Sequence, residues 1–148
     1  NEVSVYWDWM GVKCKARLDR VALEEGIVLD LKTTDSVEPD LFLKKVIGLG
    51  YDFQAAFYAK AAEAAFGKPF KFLFVAVERK APYTVDIFEA TPDMVEEATY
   101  KCEEALRRYA LCTENNDWPN REPLVRQLNY PSWYNRVKVE ETPEEDIF

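Results

Sequence analysis

The hexapeptide Ile27-Val28-Leu29-Asp30-Leu31-Lys32 is the stretch from which the fold reads outward. Its alternation places Ile27, Leu29 and Leu31 on one side of an extended segment and Val28, Asp30 and Lys32 on the other. A carboxylate and an ammonium therefore project together from a strand of otherwise apolar residues. Charges in such a place are costly unless they are paired or bound to metal. Upstream, Glu2 to Trp9 and Val12 to Leu18 both alternate with a two-residue period around Gly11, which predicts a β-hairpin. In its second arm Val12, Cys14, Ala16 and Leu18 share one face, and Lys13, Lys15, Arg17 and Asp19 the other. A turn at Glu24-Glu25-Gly26 leads into the Ile27 strand.

Downstream, residues 35–47 are expected to be helical with Pro39 near the start, and Gly48 and Gly50 to end that helix. A second helix is expected over 52–66, capped by Asp52 and stopped by Gly67 and Pro69. Phe70 to Glu78 and Tyr83 to Ala90 read as strands joined by a turn through Lys80, Ala81 and Pro82. Thr91-Pro92-Asp93 then offers an N-cap, a first-turn proline and an acid at the positive end of a helix dipole, opening a helix to about Cys112. The order is βββααββα, an α/β (α+β) fold with a central mixed sheet flanked by helices. Residues 113–148 are polar and punctuated by proline, with aromatic islands at Trp118-Pro119 and Pro131-Ser132-Trp133-Tyr134 and an acid run from Glu140 to Asp146. They are expected to wrap a single domain spanning 1–148.

Composition agrees with a globular core: 148 residues are 48% hydrophobic and 14% aromatic. Cys14, Cys102 and Cys112 are odd in number and suit neither a disulfide framework nor a zinc ribbon, so a reduced, cytoplasmic setting is expected. No run approaches the roughly 18–20 apolar residues of a membrane span. The chain has no histidine, which excludes a histidine base or ligand. It begins with Asn1 rather than Met, so residues upstream are expected. A net charge of −8 argues against holding nucleic acid by overall charge. Phosphate chemistry through carboxylate-bound metal beside a local basic strip remains open.

Asp19, Asp30 and Lys32 are the residues for that chemistry. Two aspartates with a backbone carbonyl, that of Leu31, and waters suit the hard, octahedral Mg²⁺. Lys32 is placed to orient a water or steady developing phosphoryl charge. A plain reading stands beside this one: Asp19 closes a turn, Asp30 edges a strand and Lys32 pairs with an acid. Gln54 and Tyr58, at i and i+4 of the second helix, add two polar groups on one face.

Arg17-Leu18-Asp19-Arg20, then Leu29-Asp30-Leu31-Lys32-Thr33-Thr34, then Gln54-Ala55-Ala56-Phe57-Tyr58 resemble the three successive motifs of the PD-(D/E)XK nuclease superfamily, in its RecB-like branch. More narrowly, the chain resembles the RecE-type (exonuclease VIII) domain of prophage recombination modules. The likeness runs through Phe72-Leu73-Phe74-Val75-Ala76 to Cys112, Trp118-Pro119 and Pro131-Ser132-Trp133. It implies a magnesium-dependent 5′→3′ exonuclease on double-stranded DNA ends, with manganese as a substitute, that self-associates and hands its product to a single-strand annealing protein. By the same likeness, Asp19, Asp30 and the Leu31 carbonyl would hold metal, Lys32 would act on the attacking water, and Gln54 and Tyr58 would complete the catalytic set. Arg17 and Arg20 would contact DNA.

Such nucleases also take an acidic residue from a helix before the first strand, and this sequence starts too late to include it. Glu2, across the hairpin from Asp19, is a candidate substitute, with an ordinary cross-strand partnership to Arg17 or Lys15 as the alternative. An endonuclease on the same fold and a catalytically silent DNA-binding module are the competing functions. An iron–sulfur variant is set aside, since four cysteine ligands are needed. Lys44, Lys45 and Glu78 are further candidates for lining the cleft, and Trp118, Trp133 and Tyr134 for stacking on bases, although anchoring in the core suits these aromatics better.

Overall fold

The computed structural model describes residues 2–119, 125 and 127–130. Its order is β1 (Val3–Trp9), β2 (Val12–Leu18), β3 (Arg20–Ala22), β4 (Ile27–Thr34), α1 (Pro39–Leu49), α2 (Tyr51–Phe66), β5 (Lys71–Glu78), β6 (Val85–Ala90) and α3 (Pro92–Asn115). The chain divides into two units, Asn1–Trp118 and Pro119–Phe148. The wrapping extension expected after residue 112 is helical as far as Asn115, and its Trp133, Tyr134 and acid run lie outside the described residues.

β1 and β2 form a two-stranded antiparallel ribbon in which Val3 faces Leu18 and Trp9 faces Val12. The loop is only Met10-Gly11, both at positive φ (56° and 77°). That pairing of signs gives the twist that matches a two-residue hairpin. Asp8 fastens it by accepting from the Gly11 amide at 2.9 Å.

A separate mixed sheet runs β3-β4-β5-β6, with β4 parallel to β5 and the outer pairs antiparallel. The sequence reading placed no strand at 20–22. Three residues are too few to show a period, yet Arg20, Val21 and Ala22 pair with Leu29, Val28 and Ile27.

Cross-strand register sorts the faces of this sheet. Val28, Phe72 and Ala90 form one row, and Asp30, Phe74 and Phe88 the next, all on the side covered by helices. The opposite side carries Leu29, Leu31, Leu73, Val75 and Ile87, of which Leu31 and Ile87 are more than half exposed. The core lies on the first side, where Phe42 of α1 stacks on Phe88 at 4.6 Å and meets the edge of Phe74 at 6.0 Å.

α2 is the pivot of the architecture. Ala55, Ala56, Ala59, Ala61 and Ala62 are all buried, so its backbone comes close to the ribbon, the sheet and α3 together. Gly50, at φ 69°, closes α1 and opens α2 with no side-chain cap. Asp52 sits in the first turn and pairs with Lys101 of α3 at 3.6 Å, so it is not the cap expected from the sequence. Gly48 likewise lies inside α1, which begins at Pro39 with Glu38 as its N-cap. Thr91 caps α3 as expected, accepting from the Met94 amide. Cys14 and Cys102 pack with Trp9, Ala56 and Ala98, and burial pushes the Cys102 thiol up to about 12. Among the described residues, no helix is long and apolar enough to cross a membrane.

Candidate active site

Alternation along β4 turns Val28, Asp30, Lys32 and Thr34 toward α2, and the first turns of α2 meet them with Tyr51 and Gln54. Asp30 is 2% exposed. Lys32 Nζ lies 2.6 Å from Asp30 Oδ2. The Gln54 amide joins the pair: Nε2 donates to Asp30 Oδ1 at 3.0 Å, and Oε1 accepts from Lys32 Nζ at 2.7 Å. Beneath the ammonium lies the Tyr51 ring, 4.3 Å from centroid to Nζ. Tyr51 carried no signal in the sequence beyond the helical i, i+3 spacing to Gln54.

Asp19 occupies the bend between β2 and β3, and its Oδ2 accepts from the Leu31 amide at 3.0 Å. A strand residue sends its N–H and C=O to the same edge. The Leu31 carbonyl therefore leaves β4 on the edge where Asp19 sits, beyond the end of β3. Burial raises the Asp30 carboxyl above the usual carboxylate range, the Lys32 ammonium pulls it partly back, and the Asp19 charge pushes it up again.

Asp30, Lys32 and Gln54 thus come together, and Asp19 is tied to the same strand through the Leu31 amide. Tyr58 stands a turn further along α2, edge-on to Phe72 with ring centroids 6.4 Å apart, outside the polar network. Arg20 pairs with Leu29 and so lies on the sheet face opposite Asp30 and Lys32. Arg17, on the open face of the ribbon, is ion-paired with Glu2, which takes the cross-strand role weighed for that residue. Glu78 accepts from the Val37 amide at 3.2 Å and so pins the loop before α1. Lys45 donates to the Thr33 carbonyl at 3.1 Å, at the end of β4. Trp118 is not sunk in the core: it is half exposed and meets Tyr109 edge-on at 5.6 Å.

For a metal ion, the decisive atom is Asp30 Oδ2. It is buried, and among the described residues the one group beside it is the Lys32 ammonium at 2.6 Å. An acceptor in that state suits a hard cation. Among the described residues no group of three or more acidic, cysteine or histidine side chains surrounds it. The groups that could hold an ion are then the two carboxylates and the Leu31 carbonyl, a set that would suit Mg²⁺, which keeps several of its waters.

The fold is that of PD-(D/E)XK-like domains. Residues 1–125 match the model of the family described as "PDDEXK-like domain of unknown function (DUF3799)", and the chain belongs to that family. Among solved structures it is similar to a Eubacterium rectale protein named "Putative exonuclease", with a TM-score of 0.67 and 23% identity over 87% of this chain. The alignment covers 53% of that protein, so this chain spans about half its length. The structure of SSO0001 aligns at a TM-score of 0.43 and 18% identity, covering 72% of this chain and 48% of the other. No curated protein matches the sequence.

Proposed function

We propose that the protein is a magnesium-dependent deoxyribonuclease that digests double-stranded DNA from its ends in the 5′→3′ direction. The observation that carries this reading is the buried Asp30, held against Lys32 by the two-sided Gln54 amide, one residue along β4 from the Leu31 amide that donates to Asp19. A purely structural ion pair has no need of a second carboxylate fastened to the neighbouring residue of the strand, as Asp19 is to Leu31. The name borne by the Eubacterium rectale neighbour and the RecE-type likeness of the three motifs support action at DNA ends.

Asp19, Asp30 and the Leu31 carbonyl would hold Mg²⁺, with Mn²⁺ as a substitute; once bound, the ion would polarise the scissile phosphate and acidify a water. The chain's own groups do the positioning. Asp30 and Gln54 fix the Lys32 ammonium, which orients the attacking water and hydrogen-bonds to charge growing on the phosphoryl oxygens. Tyr58 borders this set and Arg17 offers a cation at the DNA side. A role in cytoplasmic, phage-type recombination, with self-association and delivery of the product strand to an annealing protein, follows from the same likeness.

The test is to incubate the protein with linear and covalently closed duplex DNA in Mg²⁺ or EDTA. Loss of the linear form alone, and only in Mg²⁺, is the expected result. Cutting of circles would make it an endonuclease, and binding without cleavage in Mg²⁺ a silent module.

A further inference from the structure

The β1–β2 ribbon has one face committed to the core: Val5, Trp9, Cys14, Ala16 and Leu18 are buried. The other face is exposed, and along β2 it carries Lys13, Lys15 and Arg17, each two residues from the next. The row runs directly into Asp19. Alternate residues of an antiparallel strand recur at about 6.8 Å, twice the roughly 3.4 Å axial rise per nucleotide of a DNA strand, so successive side chains fall level with every second nucleotide. Among the described residues neither Lys13 nor Lys15 has an ion-pair partner. Asp8 faces Lys13 across the ribbon, but its carboxylate is turned to the Gly11 amide. The Lys15 ammonium stands 5.5 Å over the ring of its cross-strand neighbour Tyr6.

We infer that the solvent face of this ribbon is the track for the phosphate backbone of the DNA strand entering the Asp19–Asp30 site, with Lys13, Lys15 and Arg17 meeting phosphates in turn. The inference rests on the nuclease reading and specifies how substrate reaches it. A chain of net charge −8 gains no overall attraction for DNA, so a cationic row leading to the reacting groups favours one approach. Glu2, by pairing with Arg17, competes with that phosphate and weakens the last contact before the site.

The experiment is fluorescence anisotropy with a labelled, blunt-ended DNA duplex in EDTA, across a series of salt concentrations, using the whole chain. Replacing Lys13→Gln and Lys15→Gln together is expected to weaken binding and to reduce the slope of log affinity against log salt by about one per lysine. The same substitutions at Lys68 and Lys80, which lie off the ribbon, are expected to leave the slope as it was. Glu2→Gln, which frees Arg17, is expected to tighten binding. These side chains are exposed, so folding is not at stake. Equal slopes for the ribbon pair and the control pair, in a parent preparation that degrades linear duplex in Mg²⁺, would overturn the track and leave the nuclease reading standing. A parent that neither binds nor degrades DNA would overturn both.

Discussion

Gln54 accepts a hydrogen bond from Lys32 at 2.7 Å, and this contact fixes which way the amide faces. With its oxygen turned to the ammonium, its nitrogen must point to Asp30, where it donates at 3.0 Å. One neutral side chain thereby locks a carboxylate and an ammonium in a single arrangement, which neither Glu nor Lys at position 54 would do. Gln54→Met is expected to slow digestion of linear duplex by about 10–100-fold, the range typical of losing a group that orients a metal-site residue. Initial rates measured beside far-UV circular dichroism check this. A near-parental rate would show that Asp30 and Lys32 hold their places unaided.

Tyr51 supports the same ammonium from below, with its own ring packed 6.3 Å from Phe74. A ring under a cation is worth about 0.5–1 kcal/mol, a factor of roughly two to five in rate. Tyr51→Phe is expected to cleave as the parent does, whereas Tyr51→Leu is expected to lose that factor in kcat with little change in KM. Equal loss in both variants would assign the effect to the hydroxyl instead.

Acid should reveal the strain of burying Asp30. Its carboxyl is raised by burial, so the native state takes up a proton at a pH where the unfolded chain has already lost it. Stability of the metal-free protein attributable to this group is full below the ordinary carboxylate value and is lost as pH rises to the folded value. In EDTA, Asp30→Asn should therefore lack this fall, and at neutral pH it should melt at or above the parent temperature while digesting no DNA in Mg²⁺. Thermal melts at several pH values in both proteins give the answer.

Met10 sits at φ 56°, a left-handed conformation that costs an ordinary L-residue about 1–2 kcal/mol. Asn tolerates it and favours this two-residue hairpin. Met10→Asn is expected to raise the midpoint of urea unfolding without altering DNA digestion, since the loop lies at the far end of the ribbon from Asp19.

Much of this molecule could be read from the chain because each signal was local. Two-residue alternation marked β1, β2 and β4, and it also turned Asp30 and Lys32 the same way, since side-chain direction in a strand follows parity alone. Thr91-Pro92-Asp93 announced α3 through its capping chemistry. What escaped depended on pairing across the sequence. Nothing in Arg20-Val21-Ala22 says that it joins β4, and once it does, parity puts Arg20 on the Leu29 face, away from the site where a motif-based reading had placed it. The split into a ribbon and a four-stranded sheet is likewise a matter of which edges bond, which periodicity does not encode. An aromatic such as Tyr51 at a helix start reads as packing, and only the position of Lys32 Nζ shows its second use. Glu2 kept two readings open until the side chains chose Arg17.

Asp19 and Asp30 are proposed to share a divalent cation. Crystals of the protein soaked in Mn²⁺ and measured at the manganese absorption edge test it directly. An anomalous peak within about 2–2.3 Å of a carboxylate oxygen from each aspartate is predicted, absent from Asp30→Asn crystals. Manganese bound elsewhere, or none at all with both carboxylates left in their present contacts, would contradict the account.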